Sequence, residues 1–224
     1  MCGRFVQVSR LETVQKVFNI STPTFDTTPN YNIAPTQQIL AVIKHNNENK
    51  LEKLYWGLVP FWAKDINIGS KMINARAETV SEKPSFRHAF KQQRCLIPTD
   101  GFYEWKGEPG QKQPFFVTTH SDEPFAFAGL WETWANKESN EAYKSCTIIT
   151  TESRGAIREI HHRMPAILTP TFYEKWLNTD MQDPKALEKI LQEGVIRDIQ
   201  FYPVSTYVNS AKNNDPSCIE PIER

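Results

Sequence analysis

Cys2 is the residue around which a chemistry can first be built. The chain opens Met1-Cys2-Gly3-Arg4-Phe5, so loss of the initiator methionine leaves a cysteine whose free α-amine and thiol sit on adjacent carbons. The amine titrates near ~8 and the thiol near ~8.5, so both are partly nucleophilic at neutral pH. Such an aminothiol suits carbonyl electrophiles. The amine condenses with an aldehyde to an imine, and the thiol closes a five-membered thiazolidine ring. Ring closures of this kind profit from effective molarities on the order of 10⁵–10⁸ M. A small second residue also simply favours methionine removal, so the rest of the chain must decide what Cys2 is for.

Three other stretches carry functional groups at telling positions. Asn74-Ala75-Arg76-Ala77-Glu78 puts an amide, a guanidinium and a carboxylate on alternate residues, and an extended backbone would project all three to one face. Glu104 lies between aromatics in Phe102-Tyr103-Glu104-Trp105. Large apolar neighbours raise a carboxyl's pKa toward the range useful for proton transfer, although an edge-strand Glu facing water fits the same letters. His161 in Ile160-His161-His162-Arg163-Met164-Pro165 could act as a general acid or base. Adjacent histidines on an extended segment point to opposite faces, so they are not expected to share a metal.

Two surface features point to a polyanion. Lys71, Arg76, Lys83, Arg87, Lys91 and Arg94 face only Glu78 and Glu82 within residues 71–94, a local excess of positive charge in a chain of 26 basic and 26 acidic residues. A nucleic acid would therefore be held by a patch, not by a global field. Trp56-Gly57-Leu58-Val59-Pro60-Phe61-Trp62 makes a poor strand interior. It reads equally as a core plug under a loop and as a platform for stacked bases.

The elements that must position these groups follow from pattern. The 224 residues suffice for one domain, taken as residues 1–224 with 215–224 a mobile tail. Cys2, Cys95, Cys146 and Cys218 are dispersed, with neither the spacing of a zinc knuckle nor that of a disulfide framework. No signal peptide or membrane span is evident, so a cytoplasmic protein is expected, taken as a monomer without metal or cofactor. Ser9 and Glu12 predict a capping box for a helix carrying Leu11, Val14, Val17 and Phe18. Residues 21–35 read as loop. Ile39–Ile43 and Leu51–Trp56 predict a hairpin across a polar turn, and 115–118, 125–131, 146–150 and 199–204 predict further strands. Helices are expected after Thr169-Pro170 and Asp183-Pro184. The class is α+β: a strongly curled, barrel-like antiparallel sheet with peripheral helices.

Taken in order, Met1-Cys2-Gly3-Arg4, Tyr31-Asn32-Ile33-Ala34-Pro35, Trp56-Gly57-Leu58-Val59-Pro60, Asn74 to Glu78, Gly101 to Trp105 and Ile160 to Pro165 resemble the SOS-response-associated peptidase (SRAP) family. The resemblance runs from residue 2 to about 214. It implies binding of single-stranded DNA at abasic sites, an imine between the Cys2 amine and the sugar aldehyde, and a thiazolidine crosslink that shields the lesion. It further implies that Met1 is removed, with an autoprocessing, peptidase-like or lyase-type activity. By the same resemblance Asn74 holds the terminus and sugar, Glu104 transfers protons, and His161 assists ring opening and reversal. Arg4, Arg76 and Arg163 lie near the damaged nucleotide, and Asn32 and Trp62 are further DNA contacts. Two other readings stay open: an N-terminal-nucleophile amidohydrolase, since Met-Cys-Gly also begins glutamine amidotransferase domains, and a non-catalytic single-strand-binding module.

Overall fold

Asn46 and Asn47 both take left-handed backbone angles, φ 50° and 64°, which asparagine tolerates better than most residues. They turn the chain between β3 (Gln38–His45) and β4 (Glu48–Trp56), whose ladder runs from Gln38 opposite Tyr55 to His45 opposite Glu48. This is the expected hairpin, longer at both ends. The computed structural model describes residues 2–21, 25–108, 110–136 and 141–222.

From β3 the sheet continues antiparallel through β6 (Arg94–Thr99), β9 (Phe125–Ala135) and β10 (Ala142–Glu152). β10 then returns to β4, with Ser145 opposite Tyr55 and Cys146 opposite Trp56, and the five strands close into a barrel. The closing pair is parallel, which the expectation of a wholly antiparallel sheet did not include. Gly129 in β9 sits where its neighbours come too close for a side chain: an added Cβ would lie 2.8 Å from Cys95 Sγ and 3.1 Å from the Thr147 carbonyl.

A second, five-stranded sheet lies beside the barrel, in the order of the strand Gln200–Pro203, β8 (Gln113–Thr118), β7 (Gly101–Lys106), β1 (Phe5–Gln7) and β2 (Asn30–Ile33). The core between them joins Phe5, Phe102 and Phe115 of that sheet to Ile39, Leu54, Trp56, Phe127 and Ile148 of the barrel, and it includes Cys2. Phe5 meets Trp56 edge-on at 5.1 Å and Phe127 at 5.8 Å. Each such ring stabilises the fold by roughly 1.5–3 kcal/mol through burial. The outer barrel face carries Val42, Leu51, Leu96 and Leu130. These pack under α1 (Leu11–Phe18), α2 (Arg87–Gln92), α3 (Tyr173–Leu177) and α4 (Pro184–Glu193).

Asp183 caps α4, accepting from the N–H groups of Lys185 and Ala186. The capping box expected for α1 does not form. Arg10 takes the N-cap position without a side-chain bond, because Ser9 is drawn away by Asp100, whose carboxylate accepts from Val8 N–H, Ser9 N–H and the Ser9 hydroxyl. A charged acceptor at the β6–β7 corner outcompetes a neutral cap. Nor do residues 215–222 extend away from the body as the expected tail would. Asp215 caps a turn at Pro216–Cys218, Cys218 is buried, and Pro221 bridges to Val204.

Candidate active site

Strand β10 changes partners along its length, and the change builds the site. Its first half runs inside the barrel between β4 and β9. Its second half pairs instead with β5 (Asn74–Arg76), in parallel from Ile148–Asn74 to Thr150–Arg76, and with β11 (Arg163–Pro165), antiparallel through Thr150–Pro165 and Glu152–Arg163. Two of the candidate segments are thereby clamped to one strand. Asn74 and Arg76 share a face of β5 while Ala75 is buried between them, as alternation requires. Glu78 lies beyond the strand and pairs with Arg163 Nη1 at 2.9 Å.

Cys2 reaches the same place from the other sheet. β1 pairs with β7, Phe5 opposite Phe102, and Tyr103 N–H donates to the Arg4 carbonyl. Carrying that register back sets Gly3 opposite Glu104. The Asn74 amide then donates to the Cys2 carbonyl at 2.8 Å, tying β5 to the start of the chain. Asn74 Oδ1 is buried with no hydrogen-bond partner among the described residues. Cys2 is fully buried, and burial first, then the Glu104 carboxylate, pushes its thiol up. Burial also pushes Glu104 up to about 7. The water-facing alternative is therefore excluded: Glu104 is 3 % exposed.

His161 stands at the entry to β11, and the backbone N–H of Arg163 reaches its Nδ1 at 3.0 Å. Burial is the main cause that pulls this imidazole below its ordinary value. The charge of Lys112, in the turn preceding β8, acts weakly on both Glu104 and His161. The two histidines do not alternate as strand neighbours would. They precede the strand, and their rings stack 4.5 Å apart.

The remaining candidates divide. Arg76 is exposed beside Asn74, and Trp62 is 49 % exposed on its loop. Arg163, by contrast, is buried, its guanidinium spent on Glu78, the Thr150 carbonyl and the Thr150 hydroxyl. Asn32 is 1 % exposed and donates to the carbonyls of Val208, Ser210 and Asn213. Arg4 bonds Asn32 Oδ1 and the carbonyls of Val208 and Asn209. Asn32 and Arg4 therefore hold the 208–213 loop against β1. Arg94, the last residue of the basic stretch, points inward, with its guanidinium on the carbonyls of Trp176, Phe90, Lys91, Asn178 and Met181. Backbone carbonyls leave no trace in sequence, so neither this sink nor the grip of Asn32 and Arg4 on the polar 208–213 loop was legible there.

Among the described residues, no group of three or more His, Cys, Asp or Glu could hold a metal ion, and no helix is long and apolar enough to cross a membrane. The sequence profile of the SOS response associated peptidases (SRAP) matches residues 1–211. The chain belongs to the SRAP family. SRAP relatives include the abasic site processing protein YoqW of Bacillus subtilis (strain 168), 49 % identical over 223 residues, 98 % of this chain and 99 % of that one. The abasic site processing protein HMCES of Gallus gallus is 34 % identical over 226 residues, 87 % of this chain and 67 % of that one. Among solved structures, a crystal structure of a protein from Bacteroides thetaiotaomicron superposes with a TM-score of 0.85 at 26 % identity, covering 99 % of this chain and 100 % of the other. This SRAP chain thus brings the Cys2 thiol, the Asn74 amide, the Glu104 carboxyl, raised toward neutrality by burial, and the His161 imidazole to the ends of neighbouring strands. Such a set can position a terminal amine and move protons on and off a carbonyl adduct.

Proposed function

We propose that this SRAP protein acts on single-stranded DNA at abasic sites and joins itself to the ring-opened deoxyribose through Cys2 once Met1 has left. The observation that carries the reading is the Asn74 amide on the Cys2 carbonyl, 2.8 Å away, beside a buried Glu104. It fixes the one residue whose amine and thiol can both engage an aldehyde. The relatives named as abasic site processing proteins supply the substrate class.

The order of steps follows from the electrostatics. With its thiol held neutral by burial and by Glu104, Cys2 meets the aldehyde first with its amine. The amine nitrogen bonds the aldehyde carbon, and loss of one water gives the imine. The neutral thiol then adds across the C=N bond: sulfur bonds carbon, nitrogen gains the proton, and the thiazolidine is complete. Glu104, near neutrality in its titration, is suited to carry protons in both halves. His161, whose imidazole burial pulls below its ordinary value, would assist opening of the sugar. The orphan Asn74 Oδ1 offers an acceptor to the amine or to a sugar hydroxyl. The crosslink would shield the lesion from strand cleavage.

Release of Met1 hydrolyses one peptide bond with one water, and we assign it to the chain itself, with Glu104 as the proton-transfer group. A denaturing gel of the protein with an abasic single-stranded oligonucleotide tests the main reading: a shifted band is expected, absent for Cys2→Ala. A band undiminished in that variant overturns it. Intact mass tests the processing step. Wild-type protein lacking Met1 and Glu104→Gln protein retaining it are expected, and equal processing in both sinks the assignment.

A further inference from the structure

The aromatic loop has a neighbour that the Cys2 chemistry does not use. Phe61 is 53 % exposed and Trp62 49 %, yet their loop is pinned. Trp134 Nε1 donates to the Ala63 carbonyl, Ala63 N–H to the Pro60 carbonyl, and Val59 N–H to Ser145 Oγ. Two large rings held in water on a fixed loop mark a contact surface. The Phe61 ring meets the His88 imidazole at 5.0 Å. His88 Nδ1 in turn lies 3.3 Å from Glu132 Oε2, a carboxylate whose side chain is 4 % exposed. Glu132, reaching from β9 to α2, fixes the imidazole from below. Arg87 and Lys91 are exposed on α2, and the helix carries no acidic residue. Lys91 lies one turn from both Arg87 and His88, and all three are on the exposed side of the helix, opposite buried Ala89 and Phe90.

We propose that Phe61 and His88 form a stacking subsite for an undamaged nucleotide of single-stranded DNA, with Arg87 and Lys91 on the flanking phosphates. The proposal rests on the single-stranded DNA reading of the Cys2 site and extends it: the strand is held at a second place, by a ring pair whose orientation is set before binding. Flat faces beside positive charge complement bases beside phosphates. Pre-setting the imidazole reduces the ordering cost of stacking.

The test is binding of an undamaged single-stranded oligonucleotide to the full chain, read by fluorescence anisotropy. Phe61→Ala and His88→Ala are each expected to weaken binding about 5- to 150-fold, the range for loss of one stacked base. His88→Phe keeps a ring and is expected to recover most of the loss. Arg87→Glu with Lys91→Glu is expected to flatten the plot of log affinity against log salt, by about 0.7 for each phosphate no longer neutralised. Unchanged affinity in both alanine variants overturns the subsite, as it would if this surface docks a protein instead. Crosslinking of wild-type protein to abasic DNA is scored separately. If it is absent while Phe61→Ala still weakens binding, the reading of Cys2 falls and the subsite stands. If it is present with affinity unchanged in both alanine variants, the subsite falls alone.

Discussion

Asn74 and Cys2 are joined by a single hydrogen bond, side-chain amide to backbone carbonyl, that links the barrel to the first residues of the chain. Because the bond goes to the backbone, it locates Cys2 without consuming its amine or its sulfur. Replacing Asn74 by Ala removes that restraint. Misplacement by about 1 Å can cost on the order of 100-fold in rate. Single-turnover crosslinking to abasic DNA should slow by about that factor, and more than binding weakens. A rate within twofold of wild type would show that Asn74 does not set the geometry.

Glu104 should couple folding to pH. Its folded titration near 7 lies above the ordinary value of 4.5, so the folded protein binds the extra proton and stability falls as pH rises from about 4.5 through 7. A displacement of that size corresponds to roughly 3 kcal/mol. Glu104→Gln, neutral throughout, should therefore gain stability relative to wild type between pH 5 and pH 8, as measured by denaturant unfolding. A parallel pair of curves would contradict the assignment.

Arg94 belongs to the fold and not to the DNA surface. Its guanidinium satisfies carbonyls from the end of α2, from Trp176 in α3 and from Asn178 just after it. Arg94→Ala leaves those groups without a donor and should destabilise the protein by about 3–5 kcal/mol. Thermal unfolding measures this, with exposed Lys83→Ala as the comparison. Equal melting temperatures would refute the role.

Gly57 should resist any side chain. Its φ is 138°, and an added Cβ would lie 2.6 Å from the Gly69 carbonyl. Gly57→Ala forces apart two backbones that position Phe61 and Trp62. A loss of stability of about 1–3 kcal/mol and weaker binding of single-stranded DNA are expected, read by unfolding and anisotropy. Full retention of both would mean that the close approach is dispensable.

What could be read from the letters was whatever repeats locally. The β3–β4 hairpin, α1, α4 and the α+β class follow from alternation, helical spacing and the Asp183-Pro184 start. Cys2, Asn74 and Glu104 stood out because their groups are unusual for their settings, and the fold brings them together. The closing parallel pair of β10 with β4 was not legible, since it joins segments 90 residues apart and leaves no periodic mark. The inward turn of Arg94 was missed for a related reason: a basic residue flanked by others of its kind looks solvated until the carbonyls that surround it are known. The same holds for the grip of Asn32 on the 208–213 loop, whose acceptors are backbone carbonyls.

That grip has a consequence for how the protein comes to be. Arg4 is made within the first few residues, and its carbonyl partners at Val208 and Asn209 follow 204 and 205 residues later. At roughly 5–20 residues per second, the first strand waits about ten seconds or more on the ribosome before its last supports exist. The nascent chain thus carries Cys2 early and the supports of its surroundings late. The setting of the first strand is therefore completed only after some two hundred further residues have been made, which ties one edge of the second sheet to the last part of the fold to appear.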